Sequence, residues 1–174
     1  MPISLHDAYV PSALQMLGTC AHLIDKAEAW CAEHDCVHAE AIDARLYEDM
    51  APFSYQVKSV AVHTAGAIEA VREGVFAPDL APPPEDFAGL RARLAAARET
   101  LEAVSEAEME GFIGVPMRFE FREYRMDFTA ENFLLSFSQP NFYFHAATAY
   151  DILRMKGVRV GKRDFMGSVR IAAT

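Results

Sequence analysis

Apolar residues recur at intervals of three and four along most of this chain, a spacing that gathers them on single faces of helices, which must then cover one another. From Ser4 to about Glu33 the stripe is Val10, Leu14, Leu17, Ala21, Ile24, Ala27 and Cys31. Ser4 is placed to cap this helix, with Asp7 in its first turn, and Pro11 predicts a kink because the pattern resumes beyond it. Asp35 to Phe53 reads as a connection holding one short helical turn. A second helix is expected over about Phe53 to Val75, with Val57, Val60, Ala61, Ile68, Val71 and Val75 on one face and Thr64 as the polar interruption. After the stiff run Pro82, Pro83 and Pro84, a third helix is marked by Phe87, Leu90, Leu94, Ala97, Leu101 and Val104. A fourth is expected from about Ala130, capped by Thr129, to Lys156, kinked at Pro140 and stopped by Gly157.

Between the third and fourth helices lies a break containing Gly111 and Gly114, after which the period changes to two. With Arg122 and Glu123 as the turn, Phe121 pairs with Tyr124, Phe119 with Met126 and Met117 with Phe128, all on one side. The expected class is therefore all-α: a four-helix bundle with a small β-hairpin inserted before the last helix. At about 150 residues per domain, the 174 residues make one domain over 1–174. Since 52% of the residues are hydrophobic, the chain can build a core without disulfide or metal staples.

Sixteen basic against 25 acidic residues leave a formal charge of −9, the wrong sign for a nucleic-acid backbone or an anionic membrane surface. The N-terminal stretch lacks a basic leader and is broken by Pro11, and no apolar run reaches the roughly 18 residues of a membrane span. Three cysteines, an odd number without an export signal, fit reduced thiols, so a cytoplasmic protein is expected.

Chemistry is sought where polar groups enter apolar faces, because bundle sites form where facing helices converge. Ser138, Asn141, His145 and Thr148 follow at three, four and three on the fourth helix, amid Phe137, Phe142, Phe144, Ala146, Ala147 and Ala149. Gln56 and His63 flank Val60 on the second. Two histidines and an amide on two helices are able to share one divalent metal, although from spacing alone hydrogen-bonded interior positions are the commoner use of such residues. Cys31, His34, Cys36 and His38 are too tightly spaced for ordinary structural zinc, and Cys31 belongs to the apolar face. His22 reads as solvent-facing, His6 stays open, and Asp49 suits a loop cap or an acid behind the site. No spacing singles out a nucleophile, so catalytic residues are not assigned.

The stretches SLHDAYVPSALQML, ARLYEDMAPFSYQV, DFTAENFLL and, above all, QPNFYFHAATAYDILRMKGVRVGKRDFMG resemble a bacterial family of unknown function, the one numbered nineteen ninety-three. It lies within the DinB/YfiT-like superfamily of four-helix bundles, and the resemblance spans nearly the whole chain. Metal-binding members carry one histidine on the second helix and an HxxxH pair on the last. The resemblance implies His63, Asn141 and His145 as metal ligands, with Asn141 standing where those members have a histidine. It implies a divalent ion (zinc, nickel or manganese) and a metal-dependent hydrolase or thiol-dependent transferase, with Gln56, Ser138 and Thr148 orienting a substrate or ligand. It also implies a homodimer. Lys162 and Arg163 lie just past the bundle, where they either close over an anion or pair with Asp164 and a neighbouring subunit's carboxylates. The competing class is a non-catalytic dimeric bundle whose histidines are structural and whose crowded aromatics line a site for a small apolar ligand.

Overall fold

The computed structural model describes residues 2–172. Helix α1 (Leu5–Glu33) starts where expected: Ser4 Oγ accepts from the Asp7 N–H at 3.0 Å, and the helix runs on through Pro11. Its apolar face is buried, with Leu17, Leu23, Ile24, Ala27 and Cys31 at most 1% exposed. Four longer helices enclose the core. α1 packs on α5 (Phe87–Glu102) and on α8 (Gln139–Met155), while α3 (Phe53–Val62) packs on α8 and α5. Phe53, Leu90 and Phe142 are each completely buried between them, every one worth about 1.5–3 kcal/mol relative to exposure. A single turn, α2 (Ala39–Ile42), interrupts the connection from α1 to α3.

The second predicted helix is corrected. Instead of running unbroken to Val75, it stops at Val62 and restarts as α4 (Ala65–Glu73), with Thr64 at φ −108°, ψ −88° between the two pieces. Two side chains hold the break open. The buried Tyr9 hydroxyl donates to the His63 carbonyl at 2.7 Å, and Thr64 Oγ1 donates back to the Val60 carbonyl at 2.7 Å. Both take backbone acceptors out of the helical ladder.

Val75 is no helical residue. Gly74 at φ +81° ends α4, a conformation that favours glycine, and Val75 and Phe76 form strand β1. β1 pairs in parallel with β2 (Pro116–Phe121), which pairs antiparallel with β3 (Tyr124–Thr129) in the expected register: Met117 opposite Phe128, Phe119 opposite Met126, Phe121 opposite Tyr124. The protein is therefore mostly helical with a small three-stranded sheet, not all-α with a lone hairpin. Two residues of strand carry no periodicity, which is why the third strand escapes a reading by pattern.

The fourth predicted helix is continuous from Ala130 but changes type on the way: a short α7 (Ala130–Asn132), a π-helical segment (Phe133–Ser138), then α8. Pro140 enters in the first turn of α8. The wider π register before it accommodates a residue without an N–H whose ring would clash with a carbonyl four positions back. Gly157, at φ +87°, follows the helix end as expected. Two further short helices, α6 (Glu106–Gly111) and α9 (Lys162–Met166), span too few turns to show a stripe, and α9 folds back onto α1. Among the described residues no helix is long and apolar enough to cross a membrane.

A two-histidine cavity between α3 and α8

The break after α3 positions His63. As the residue that caps α3, it is anchored through its carbonyl by Tyr9, and its side chain enters a cavity of about 240 Å³. His145, from the middle of α8, and Asn141, one turn before it, line the same cavity. The three residues put forward as metal ligands thus line one cavity. The imidazole rings lie 5.7 Å apart between centroids with their planes 17° from parallel. Phe137 and Phe119 supply apolar wall, and Phe76 of β1 packs on the His63 ring with centroids 5.2 Å apart.

Gln56 does not reach the cavity wall; it orients His145 from behind. Its amide nitrogen donates to the Ala51 carbonyl at 2.9 Å, which leaves Oε1 as the atom lying 2.7 Å from His145 Nδ1. In the neutral ring Nδ1 therefore carries the proton and donates, and Nε2 keeps its lone pair. Such a partner fixes ring orientation and raises donor strength. Asn141 is constrained in a comparable way. Its Nδ2 donates to the Phe137 carbonyl at 2.7 Å, so the amide oxygen is the atom left for other partners.

Burial sets the charge state. It lowers the pKa of His145 to about 4, and burial together with the neighbouring His145 lowers that of His63 to about 3. Both rings are neutral at pH 7. His63 Nδ1 is moreover buried without a hydrogen-bond partner, one of only two such side-chain atoms among the described residues. A bare nitrogen beside a second neutral imidazole and a free amide oxygen is a donor set of the kind a divalent cation accepts, although the amide is the weakest of the three.

The other predicted site residues lie elsewhere. Ser138 closes the π-helical segment and is fully buried, its Oγ being the second atom without a partner. Thr148 Oγ1 donates to the Phe144 carbonyl at 2.8 Å. Neither lines the cavity. The π register shifts the phase of the stripe at Ser138, whereas Thr148 shares regular α8 with Asn141 and His145 but turns its hydroxyl back onto its own helix. Asp49 is exposed and away from the cavity. Of the cysteine and histidine cluster, Cys31 is a core residue, while the His34 ring stacks on Trp30 and that of His38 packs on Phe87.

Lys58 is the residue that sequence reasoning missed. Only 3% exposed, it lines the cavity, and its ammonium lies 3.1 Å from Asp79 Oδ1 while donating to the carbonyls of Asp79 and Ala81. Burial pushes the Asp79 carboxyl upward, but hydrogen bonds from Lys58 and the Ala81 N–H outweigh it and leave the group below its ordinary value. This clamp fixes the segment from Pro78 to Ala81 over the cavity. The available signal was that Lys58 is the one Lys, Arg, Asp or Glu between Asp49 and Glu69.

The family described as "Domain of unknown function (DUF1993)" matches residues 5–166. Among solved structures, the chain is similar to the crystal structure of a DinB family member from Shewanella denitrificans. The two share 26% identity and a TM-score of 0.81, over 98% of this chain and 96% of that one. No curated protein matches the chain.

Proposed function

The chain belongs to the DUF1993 family, with a DinB-like fold, and from that premise we propose that the cavity between α3 and α8 is a divalent-metal site serving a hydrolase or thiol-dependent transferase. The observation that carries this reading is the Gln56–His145–His63 arrangement: one imidazole locked with Nε2 unprotonated beside another whose Nδ1 is buried and unpartnered. His63 and His145 would hold zinc, nickel or manganese through nitrogen, and Asn141 through its amide oxygen. When bound, such an ion supplies Lewis acidity that lowers the pKa of a water or thiol. The chain's own contributions are distinct from that. Gln56 orients His145, Tyr9 anchors His63 through its carbonyl, and Phe119 and Phe137 limit water around the reacting group. Lys58, already matched by Asp79, holds the covering segment in place and is not the group that meets a substrate.

A second reading has support from the wall itself. His63 lies among Phe76, Phe137 and the His145 ring, which equally suits a pocket for a small apolar molecule with structural histidines. Tag-free protein, stripped with EDTA and titrated with zinc, nickel and manganese by calorimetry, separates the two. The metal reading expects one ion per chain, lost in both His63→Ala and His145→Ala. If no ion binds below millimolar concentration and His145→Ala only lowers the melting temperature, the metal reading fails. Saturable binding of an apolar fluorescent probe, blocked by Val62→Phe in the cavity wall, would then favour the second.

A further inference from the structure

Away from the histidine cavity, and sharing no lining residue with it, a cleft of about 640 Å³ lies between α1, α5 and the segment that follows α9. Arg98, Arg163 and Arg170 all face it, in a chain whose formal charge is −9. Among the described residues, two of these three have no carboxylate partner. The Arg170 guanidinium meets only neutral acceptors, the Pro11 carbonyl and Gln15 Oε1, each at 3.0 Å, and Ser12 Oγ at 3.5 Å. Arg163 makes no side-chain hydrogen bond or ion pair there. Arg98 pairs with Glu102 at 3.2 Å along its own helix. The acidic residue on the wall, Asp164, is engaged by His22 Nε2 and by the Gly161 N–H, each at 2.7 Å. Of the alternatives for Arg163, pairing with Asp164 is corrected: His22 takes that carboxylate.

The cleft has fixed walls. Gln15 Nε2 donates to the Met166 carbonyl at 2.6 Å and Thr19 Oγ1 to the Phe165 carbonyl at 2.8 Å, so two side chains of α1 strap the end of α9 down. Gly167 completes the strap at φ +57°, where a β-carbon would stand 2.9 Å from Thr19 Oγ1. On the opposite wall, the Arg98 guanidinium crosses α1 at Gly18, where a β-carbon would stand 3.3 Å from its Nη2. Glycine at 18 lets that cation lie close over the helix.

Guanidinium groups are planar donor forks that match phosphoryl and carboxylate oxygens, and three of them lining one cleft whose acidic residue is already engaged suit a ligand carrying more than one negative charge. We propose that this cleft binds the phosphoryl end of a small phosphorylated molecule, with Arg163 and Arg170 as its principal partners and Arg98 as the third cation. The cleft volume is that of a small-molecule site, and Pro11 and Leu14 give the remainder of the ligand an apolar wall.

Calorimetric titration of the full chain with inorganic pyrophosphate at low salt tests this, with succinate as the carboxylate probe. One site per chain is expected, with a Kd below about 1 mM that weakens as salt rises. Arg163→Gln, a change at an exposed residue without partners among the described residues, should weaken pyrophosphate roughly tenfold at an unchanged melting temperature. Arg170→Gln should do the same, and Arg118→Gln, on the sheet, should leave affinity unchanged. The proposal is overturned if pyrophosphate does not saturate, if Arg163→Gln leaves binding intact, or if Arg118→Gln weakens it equally. Saturation by succinate but not pyrophosphate overturns the phosphoryl assignment.

Discussion

Two neutral imidazoles inside the protein make its stability depend on pH above the range where carboxylates matter. In the folded chain His145 and His63 take up protons only near pH 4 and 3, whereas in the unfolded chain a histidine does so near 6.5. As pH falls from 7, the unfolded state therefore binds protons that the folded state refuses, and the equilibrium moves toward unfolding. The histidine contribution is complete above about pH 7 and declines as pH falls through 6.5 toward the folded values. Integrated from pH 7 to pH 5, the loss is about 2 kcal/mol for each ring and about 4 kcal/mol for both. Metal-free protein in EDTA, unfolded with urea at intervals of half a pH unit, gives this slope directly. The window stops at 5 because Asp79, Glu108 and Asp164, whose carboxyls lie below their ordinary values, begin to lose their stabilising charge at lower pH. His145→Gln and His63→Gln should each remove about half of the slope, whatever they do to stability at pH 7. A loss under about 1 kcal/mol across the window, or either imidazole titrating near 6.5 by NMR in the folded protein, would refute the reasoning.

Other expectations follow from particular contacts. Tyr9→Phe removes the buried donor to the His63 carbonyl and should cost about 2 kcal/mol, a fall of ~4–8 °C in melting temperature by calorimetry. Asn141→His supplies a third imidazole and should tighten zinc at least about tenfold, whereas Gln56→Leu, which frees the His145 ring, should weaken it by roughly 10–100-fold. Both are read by competition with a chromogenic chelator; tightening by Gln56→Leu would contradict the orienting role. Lys58→Met leaves Asp79 and two carbonyls short of a buried cation and should cost about 3 kcal/mol, with faster proteolysis between Pro78 and Pro84. Unchanged cleavage there would show that the segment is held by something else.

Local chemistry made several features legible from residues alone. The Ser4 cap, the buried face of α1 from Val10 to Cys31, the cross-strand pairs of β2 and β3 and the stop at Gly157 each follow from side-chain period, cap chemistry or turn geometry. The grouping of His63 with Asn141 and His145 was legible too, from polar interruptions of apolar stripes together with the family resemblance, although the same stripes carry Gln56, Ser138 and Thr148, which do not line the cavity. Tertiary contact decided the rest. The break at Thr64 depends on a hydroxyl 54 residues away in sequence, the third strand on two residues finding the edge of β2, and the Lys58 clamp on a proline-rich segment returning over α3. The role of Gln56 changed in the same way, from ligand contact to ring orientation, once the Ala51 carbonyl had taken its amide nitrogen. Period and propensity act between neighbours along the chain, so they set which face of a helix is buried. Which carbonyl loses its helical partner, which imidazole nitrogen keeps its lone pair and which arginines share a cleft are settled by hydrogen bonds and charges between distant segments, and those exist only after the helices have packed.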